Sequence, residues 1–122
     1  MQAVILAAGQ SSRFWPLNQK HKSLIRIMGR PLIFYTIDGL KKSGIEDIII
    51  VQGASKDIEK ELGDKKIKYI TQSKPLGMGD ALWQAKKLIK GRFVVLATLV
   101  WVLGVCALLG ALKAGWKCIE WR

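Results

Sequence analysis

Six apolar residues in succession, Ala3-Val4-Ile5-Leu6-Ala7-Ala8, are stopped by Gly9, and short apolar runs closed by turn formers recur along the chain. A run of that length without polar alternation suits a strand covered on both faces, so residues 3–8 are expected to form a central strand of a parallel sheet. Pro31 stands where a first helical turn tolerates its missing N–H, and Ile33, Ile37 and Leu40 mark one buried face before Ser43-Gly44 ends the helix. Residues 48–51 (Ile48-Ile49-Ile50-Val51) read as a second strand closed by Gln52-Gly53. Ser55 is expected to cap a helix with Asp57 and Glu59 in its first turn, Ile58 and Leu62 inward and Gly63 as its stop. Residues 67–71 form a third strand. Residues 80–90 follow as a helix with Leu82, Ala85, Leu88 and Ile89 on one side, and residues 93–97 are a fourth strand. The order βαβαβαβ with short connections predicts an α/β fold, a doubly wound and mostly parallel sheet.

In such sheets ligands bind beyond the carboxyl ends of the strands, near the point where the strand order reverses. The loop after the first strand reads Gly9-Gln10-Ser11-Ser12-Arg13, and Lys20, Lys22 and Arg26 follow within thirteen residues of Arg13. Glycine and serine let backbone N–H groups approach a ligand closely, and converging N–H dipoles form a concavity for anions. Arginine adds a planar fork for phosphate oxygens and lysine a mobile point charge. The loop from Gln72 to Gly79 leaves the third strand at the same edge, so both loops face one crevice. The ligand these groups suit is a polyphosphate.

The residues that carry this chemistry also resemble a known family. Leu6-Ala7-Ala8-Gly9-Gln10-Ser11-Ser12-Arg13, Pro16-Leu17, Lys22-Ser23-Leu24, Ile27-Met28-Gly29-Arg30-Pro31-Leu32 and Pro75-Leu76-Gly77-Met78-Gly79-Asp80-Ala81 are similar, in order and spacing, to the signatures of the sugar-phosphate nucleotidyltransferases. The resemblance covers residues 3–97 and implies a Rossmann-like nucleotide-binding domain over residues 1–97. It further implies transfer of a nucleotidyl group from an NTP to a sugar 1-phosphate, with pyrophosphate released and Mg²⁺ as cofactor. By the same resemblance Arg13 holds the β- and γ-phosphates and Lys22 sits by the α-phosphate and the incoming sugar phosphate. Leu6, Ala7, Ala8 and Gly9 line the nucleotide, while Gln72, Gly77 and Met78 surround the base. Four positions depart from the family pattern, which often has Gly at Ser11, Thr at Ser12 and Met78, and commonly Pro at His21. Each residue also has a plainer reading: Arg13 as an exposed loop arginine, Gly9 as a turn, Gln72 as a polar strand end, Asp80 as a helix cap and His21 as a loop residue.

Composition narrows the alternatives. A net charge of +11 in 122 residues invites nucleic acid as a partner. Against it, the runs Lys41-Lys42, Lys65-Lys66-Lys68 and Lys86-Lys87-Lys90 carry no interleaved aromatic for base stacking and read as solvated surface. The cysteines, Cys106 and Cys118, lie far apart in the last stretch and His21 is the sole histidine, so zinc is not indicated. The first apolar run has no basic region ahead of it, which argues against a signal peptide and makes the cytoplasm the default.

Residues 98–122 depart from the family. No acid appears between Asp80 and Glu120, so the metal-binding Asp that the resemblance implies after the fourth strand is missing. Phe93 to Leu112 carry no charge over twenty residues, close to the ~20 needed to span a bilayer. The expectations for this tail are a changed reading frame or truncated end, a hydrophobic element at a homo-oligomer interface, or a membrane anchor, the last being the least favoured because part of the run is already a strand. The alternative to an active transferase is a nucleotide-binding module without turnover.

Overall fold

The computed structural model describes residues 1–9 and 21–97. In chain order the elements are β1 (Gln2–Ala7), β2 (Arg26–Ile27), β3 (Arg30–Pro31), α1 (Leu32–Lys42), β4 (Asp47–Gly53), α2 (Asp57–Leu62), β5 (Lys68–Gln72), α3 (Met78–Ala85) and β6 (Phe93–Ala97). A single 3-10 turn, Lys22–Leu24, precedes β2. The main sheet has the order β5-β4-β1-β6 and every pairing in it is parallel.

Alternation of side chains divides β1 between two cores. Ala3, Ile5 and Ala7 join Ile48 and Ile50 of β4, Ile33, Ile37 and Leu40 of α1 and Ile58 of α2 on one face. Val4 joins Ile49, Val51, Ala81 and Ala85 on the other, where α3 packs with Leu6, Ile70 and Leu82 around it. Both faces of β1 and β4 are therefore dry, which is why these strands read as unbroken apolar runs rather than as alternating ones. The alanines at 81 and 85 stand one helical turn apart and let α3 lie close on the sheet.

The chain runs outward from β1 to β4 to β5 and then reverses, returning past β1 to β6. Crossovers of one hand put the helix on opposite faces when the direction of travel reverses, and α3 indeed lies opposite α1 and α2. The sheet is doubly wound, and its switch point lies between β1 and β6.

Local structure departs from the sequence reading in four places. A two-stranded hairpin, with Arg26 opposite Pro31 and Ile27 opposite Arg30, precedes α1 and was not expected. Its turn residues Met28 and Gly29 both have positive φ, 51° and 80°, the signature of a type I′ turn. Pro31 thus ends β3 and stands just before α1, which starts at Leu32. Ser55 does not cap α2: Lys56 precedes the helix, and the Glu59 N–H is instead accepted by the side-chain carbonyl of Gln52 at 3.1 Å. The third helix begins two residues early, at Met78, and ends at Ala85. Tighter turns, Lys86 N–H on the Trp83 carbonyl and Leu88 N–H on the Ala85 carbonyl, follow it, and Gln2 at the amino end of β1 then holds the backbone, donating to the Leu88 carbonyl and accepting from the Lys90 N–H. Asp80 does not cap that helix but lies inside its first turn. Among the described residues no helix is long and apolar enough to cross a membrane. The three readings of the tail lie outside the described residues.

Candidate functional site

Parallel pairing places the carboxyl ends of β1, β4 and β5 side by side, with Ala7 opposite Gln52 and Gly53 opposite Gln72. Along β1 exposure then rises toward the loop. Ala7 is buried in the α1 core, Leu6 and Ala8 are half-buried and Gly9 is exposed. A Cβ on Gly53 would come within 4.0 Å of the Ala8 carbonyl, so the ends of β1 and β4 approach closely.

His21 and Lys22 sit at this edge. The His21 Nε2–H donates to the Gly9 carbonyl at 2.7 Å, and the Ser23 N–H donates to His21 Nδ1 at 3.2 Å. One ring nitrogen donating and the other accepting defines the neutral Nε2–H tautomer, an assignment that follows from the hydrogen-bond network. Burial pushes the His21 pKa below its ordinary value and the neighbouring Lys22 charge adds to this, against the Gly9 hydrogen bond and Asp57, which favour the charged form. The imidazole is neutral at pH 7. Lys22 is half-buried, and its Nζ lies 3.7 Å from the point a Cβ on Gly9 would occupy. The 3-10 turn that carries it is closed by Leu24 N–H on the His21 carbonyl and Ile25 N–H on the Lys22 carbonyl, and is anchored by buried Ser23 and Leu24.

The second loop is organised by Gln72, which is 5% exposed. Its Nε2 donates to the Gly77 carbonyl at 3.3 Å and to the Asp80 carboxylate at 2.5 Å. Gly77 has φ 101° and ψ 177°, a conformation open almost only to glycine, and it turns the chain into the first turn of α3. Met78 and Leu76 are largely exposed beside it.

The sequence-derived residues therefore assemble into two groups, Gly9 with Lys22 and Gln72 with Gly77. With β4 between β1 and β5, the strand ends that carry them stand two spacings apart, roughly 10 Å. Arg13 lies outside the described residues. Ala7 cannot present its side chain to a ligand, because that side chain is packed in the core. The amide N–H groups of Gln72 are directed into its own loop, so its first task is to fasten that loop to α3.

Gln52 escaped the sequence reading. It is 1% exposed, donates to the Glu59 carboxylate at 2.9 Å and accepts the Glu59 N–H, fastening β4 to the start of α2 as Gln72 fastens β5 to α3. The signal available was the recurrence of Gln at the carboxyl ends of both strands. Among the described residues no group of three or more His, Cys, Asp or Glu side chains is placed to hold a metal ion, and Asp80 is already engaged by Gln72.

Comparison with known proteins agrees with this geometry. The family model described as nucleotidyl transferase matches residues 2–105. A Bifunctional protein GlmU of Methanococcus vannielii is 39% identical over 99 residues, which cover 79% of this chain and 24% of that protein. A Bacillus anthracis crystal structure assigned as a glucose-1-phosphate thymidylyltransferase, solved with sucrose, aligns with TM-score 0.72 at 28% identity over 80% of this chain and 43% of that one. HddC from Yersinia pseudotuberculosis, solved with GMP-PN, aligns with TM-score 0.68 at 27% identity over 80% of this chain and 47% of that one. The chain spans about a quarter of the length of the GlmU relative and under half of each of these structures. The match over most of its length, joined to the doubly wound sheet and the loops at its carboxyl edge, shows that this chain belongs to the nucleotidyl transferase family.

Proposed function

We propose that the carboxyl edge of this domain binds a nucleoside triphosphate and serves transfer of its nucleotidyl group to a sugar 1-phosphate. In that reaction an oxygen of the sugar phosphate forms a bond to the α-phosphorus while the bond to the pyrophosphate oxygen breaks. The electron pair leaves with pyrophosphate, so negative charge builds on that leaving group while two anions must be held together. The observation that carries the reading is the ammonium of Lys22 beside Gly9 at the end of β1, where a phosphate can meet a full charge and an exposed glycine backbone together. In this reading Lys22 holds the α-phosphate region and Arg13 the outer phosphates. Leu6, Ala8 and Gly9 line the nucleoside, and Gly77 and Met78 form the far wall. The names of the similar proteins support this substrate class, one of them being assigned as a glucose-1-phosphate thymidylyltransferase. Mg²⁺ is the cofactor the family resemblance implies, but the described residues do not form a ligand set for it, and no step is assigned to it.

Equilibrium titration of the chain with the four common NTPs, repeated on Lys22→Ala, tests the site. Loss of a charge-assisted hydrogen bond is worth about 1.5–3 kcal/mol, so affinity should fall by about 10- to 150-fold. Unchanged affinity in Lys22→Ala removes the proposed site. Pyrophosphate release in the presence of sugar 1-phosphates then separates transfer from binding without turnover.

A further inference from the structure

We propose that His21 is a positioning residue: its neutral imidazole fastens the start and the end of the first loop to each other and thereby sets Lys22 against Gly9. The inference rests on the nucleotide site proposed above and adds to it the side chain that keeps the site assembled.

Gly9 and His21 are twelve positions apart, and a single side-chain bond at 2.7 Å joins them. Bringing together the ends of such a stretch carries an entropic cost, which a directed bond across its mouth offsets. The same ring accepts the Ser23 N–H, so it is held on both sides, by the strand end and by the 3-10 turn that carries Lys22. His21 itself has φ −58° and ψ 140°, ordinary extended backbone, so its own backbone carries no strain and its contribution is through the side chain. Lys22 follows in the chain, with Nζ 3.7 Å from the Cβ point of the very glycine whose carbonyl the imidazole engages.

The clamp depends on the ring being neutral. Protonation turns Nδ1 from an acceptor into a donor, which then faces the donor N–H of Ser23, so that bond cannot survive. The charged groups facing the ring are Lys22 on its own turn, which opposes protonation, and Asp57 at the start of α2, which favours it; burial, the largest influence, sides with Lys22, and the net effect is a lowered pKa.

Two measurements on the full chain test the inference. The first is a double-mutant cycle at pH 8 with inorganic tripolyphosphate as the probe, on the parent, His21→Ala, Lys22→Ala and the double variant, each checked by circular dichroism. At that pH His21→Ala alters no charge. We expect His21→Ala to weaken binding about tenfold, the loss of one hydrogen bond's worth of positioning, and the double variant to bind no more weakly than Lys22→Ala. If the two losses multiply, or if His21→Ala binds like the parent, the inference is overturned. If the parent itself does not bind tripolyphosphate, the phosphate site falls and the inference with it, which separates the two failures. The second measurement needs no variant: an NMR titration of His21 from pH 8 to pH 5. We expect the Nε2–H tautomer at the alkaline end and loss of Ser23 amide exchange protection as the ring protonates, with the Ile50 amide unaffected. An Nδ1–H tautomer, or a Ser23 amide indifferent to the titration, overturns the clamp.

Discussion

Two glycines two residues apart should respond to alanine in opposite directions. Among the described residues Gly77 and Gly79 both have open space around them, and a Cβ at either would meet nothing within 4 Å. Steric clash is thus removed from the comparison, and backbone conformation alone decides the outcome. Gly77, at φ 101° and ψ 177°, occupies a region that costs a residue with a side chain about 1–3 kcal/mol. Gly79 lies within α3, where replacing glycine by alanine recovers about 0.5–1 kcal/mol of chain entropy and helix propensity. The two variants should therefore differ by about 1.5–4 kcal/mol. At about 4–8 °C per kcal/mol for a domain of this size, Gly79→Ala should melt at least about 6 °C above Gly77→Ala. Urea titrations followed by circular dichroism give the free energies, and thermal scans give the second readout. The Gly77 carbonyl accepts from both Gln72 Nε2 and the Ala81 N–H, so relief of strain by shifting the loop would break these bonds. A Gly77→Ala variant within about 0.5 kcal/mol of the parent, or two changes of the same sign, would refute the reasoning.

Core and charge give further expectations. Ile50 of β4 is 0% exposed and its side chain lies in the core beneath α1 and α2, so Ile50→Ala should cost about 2–5 kcal/mol in urea unfolding, a large share of the stability of a small domain. Asp47 accepts from Lys68 Nζ at 2.8 Å and from Gln2 Nε2 at 2.7 Å, and these bonds, the Lys68 one first, hold its carboxyl below the ordinary range. Its contribution is fully present above about pH 3.8, the unfolded value, and is lost as pH falls through the lower folded value. The Asp47–Lys68 pair is half-exposed and worth under about 1 kcal/mol, so Asp47→Asn should flatten only the acid limb of stability below about pH 4, leaving the neutral region within that margin. His21 adds a separate window: its folded pKa is lowered, so stability should fall as pH drops below 6.5 toward the folded value, and an acid limb beginning only below about pH 4 would contradict this.

Most of the fold could be read along the chain because burial on both sides of a parallel sheet leaves an unbroken apolar run. Residues 3–8 and 48–51 announced β1 and β4 in that way, and the rhythm of Ile33, Ile37 and Leu40 announced α1. The hairpin before α1 could not be read, because its strands are two residues each, too short for alternation to show, and its turn rests on Met28 at positive φ, which a methionine does not advertise. Helix starts were misplaced for a related reason. Ser55 had the right chemistry for a cap, yet the helix starts at Asp57 after Lys56, and the N–H of its third residue, Glu59, is taken by Gln52, a partner supplied by the adjacent strand.

The candidate site divides along the same line. Sequence by itself determined that a glycine and a lysine flank the first loop, that Gln72 and Gly77 mark the second and that the domain is an α/β domain with a parallel sheet, since these are properties of residue type, order and spacing. Tertiary structure decided which residues meet. It brought His21 onto the Gly9 carbonyl, put the Lys22 ammonium beside that glycine and turned the amide of Gln72 inward to fasten a loop. Such pairings join positions far apart in the chain through hydrogen bonds with strict geometry, and strand register and helix docking, not local pattern, set the distances at which those bonds can form.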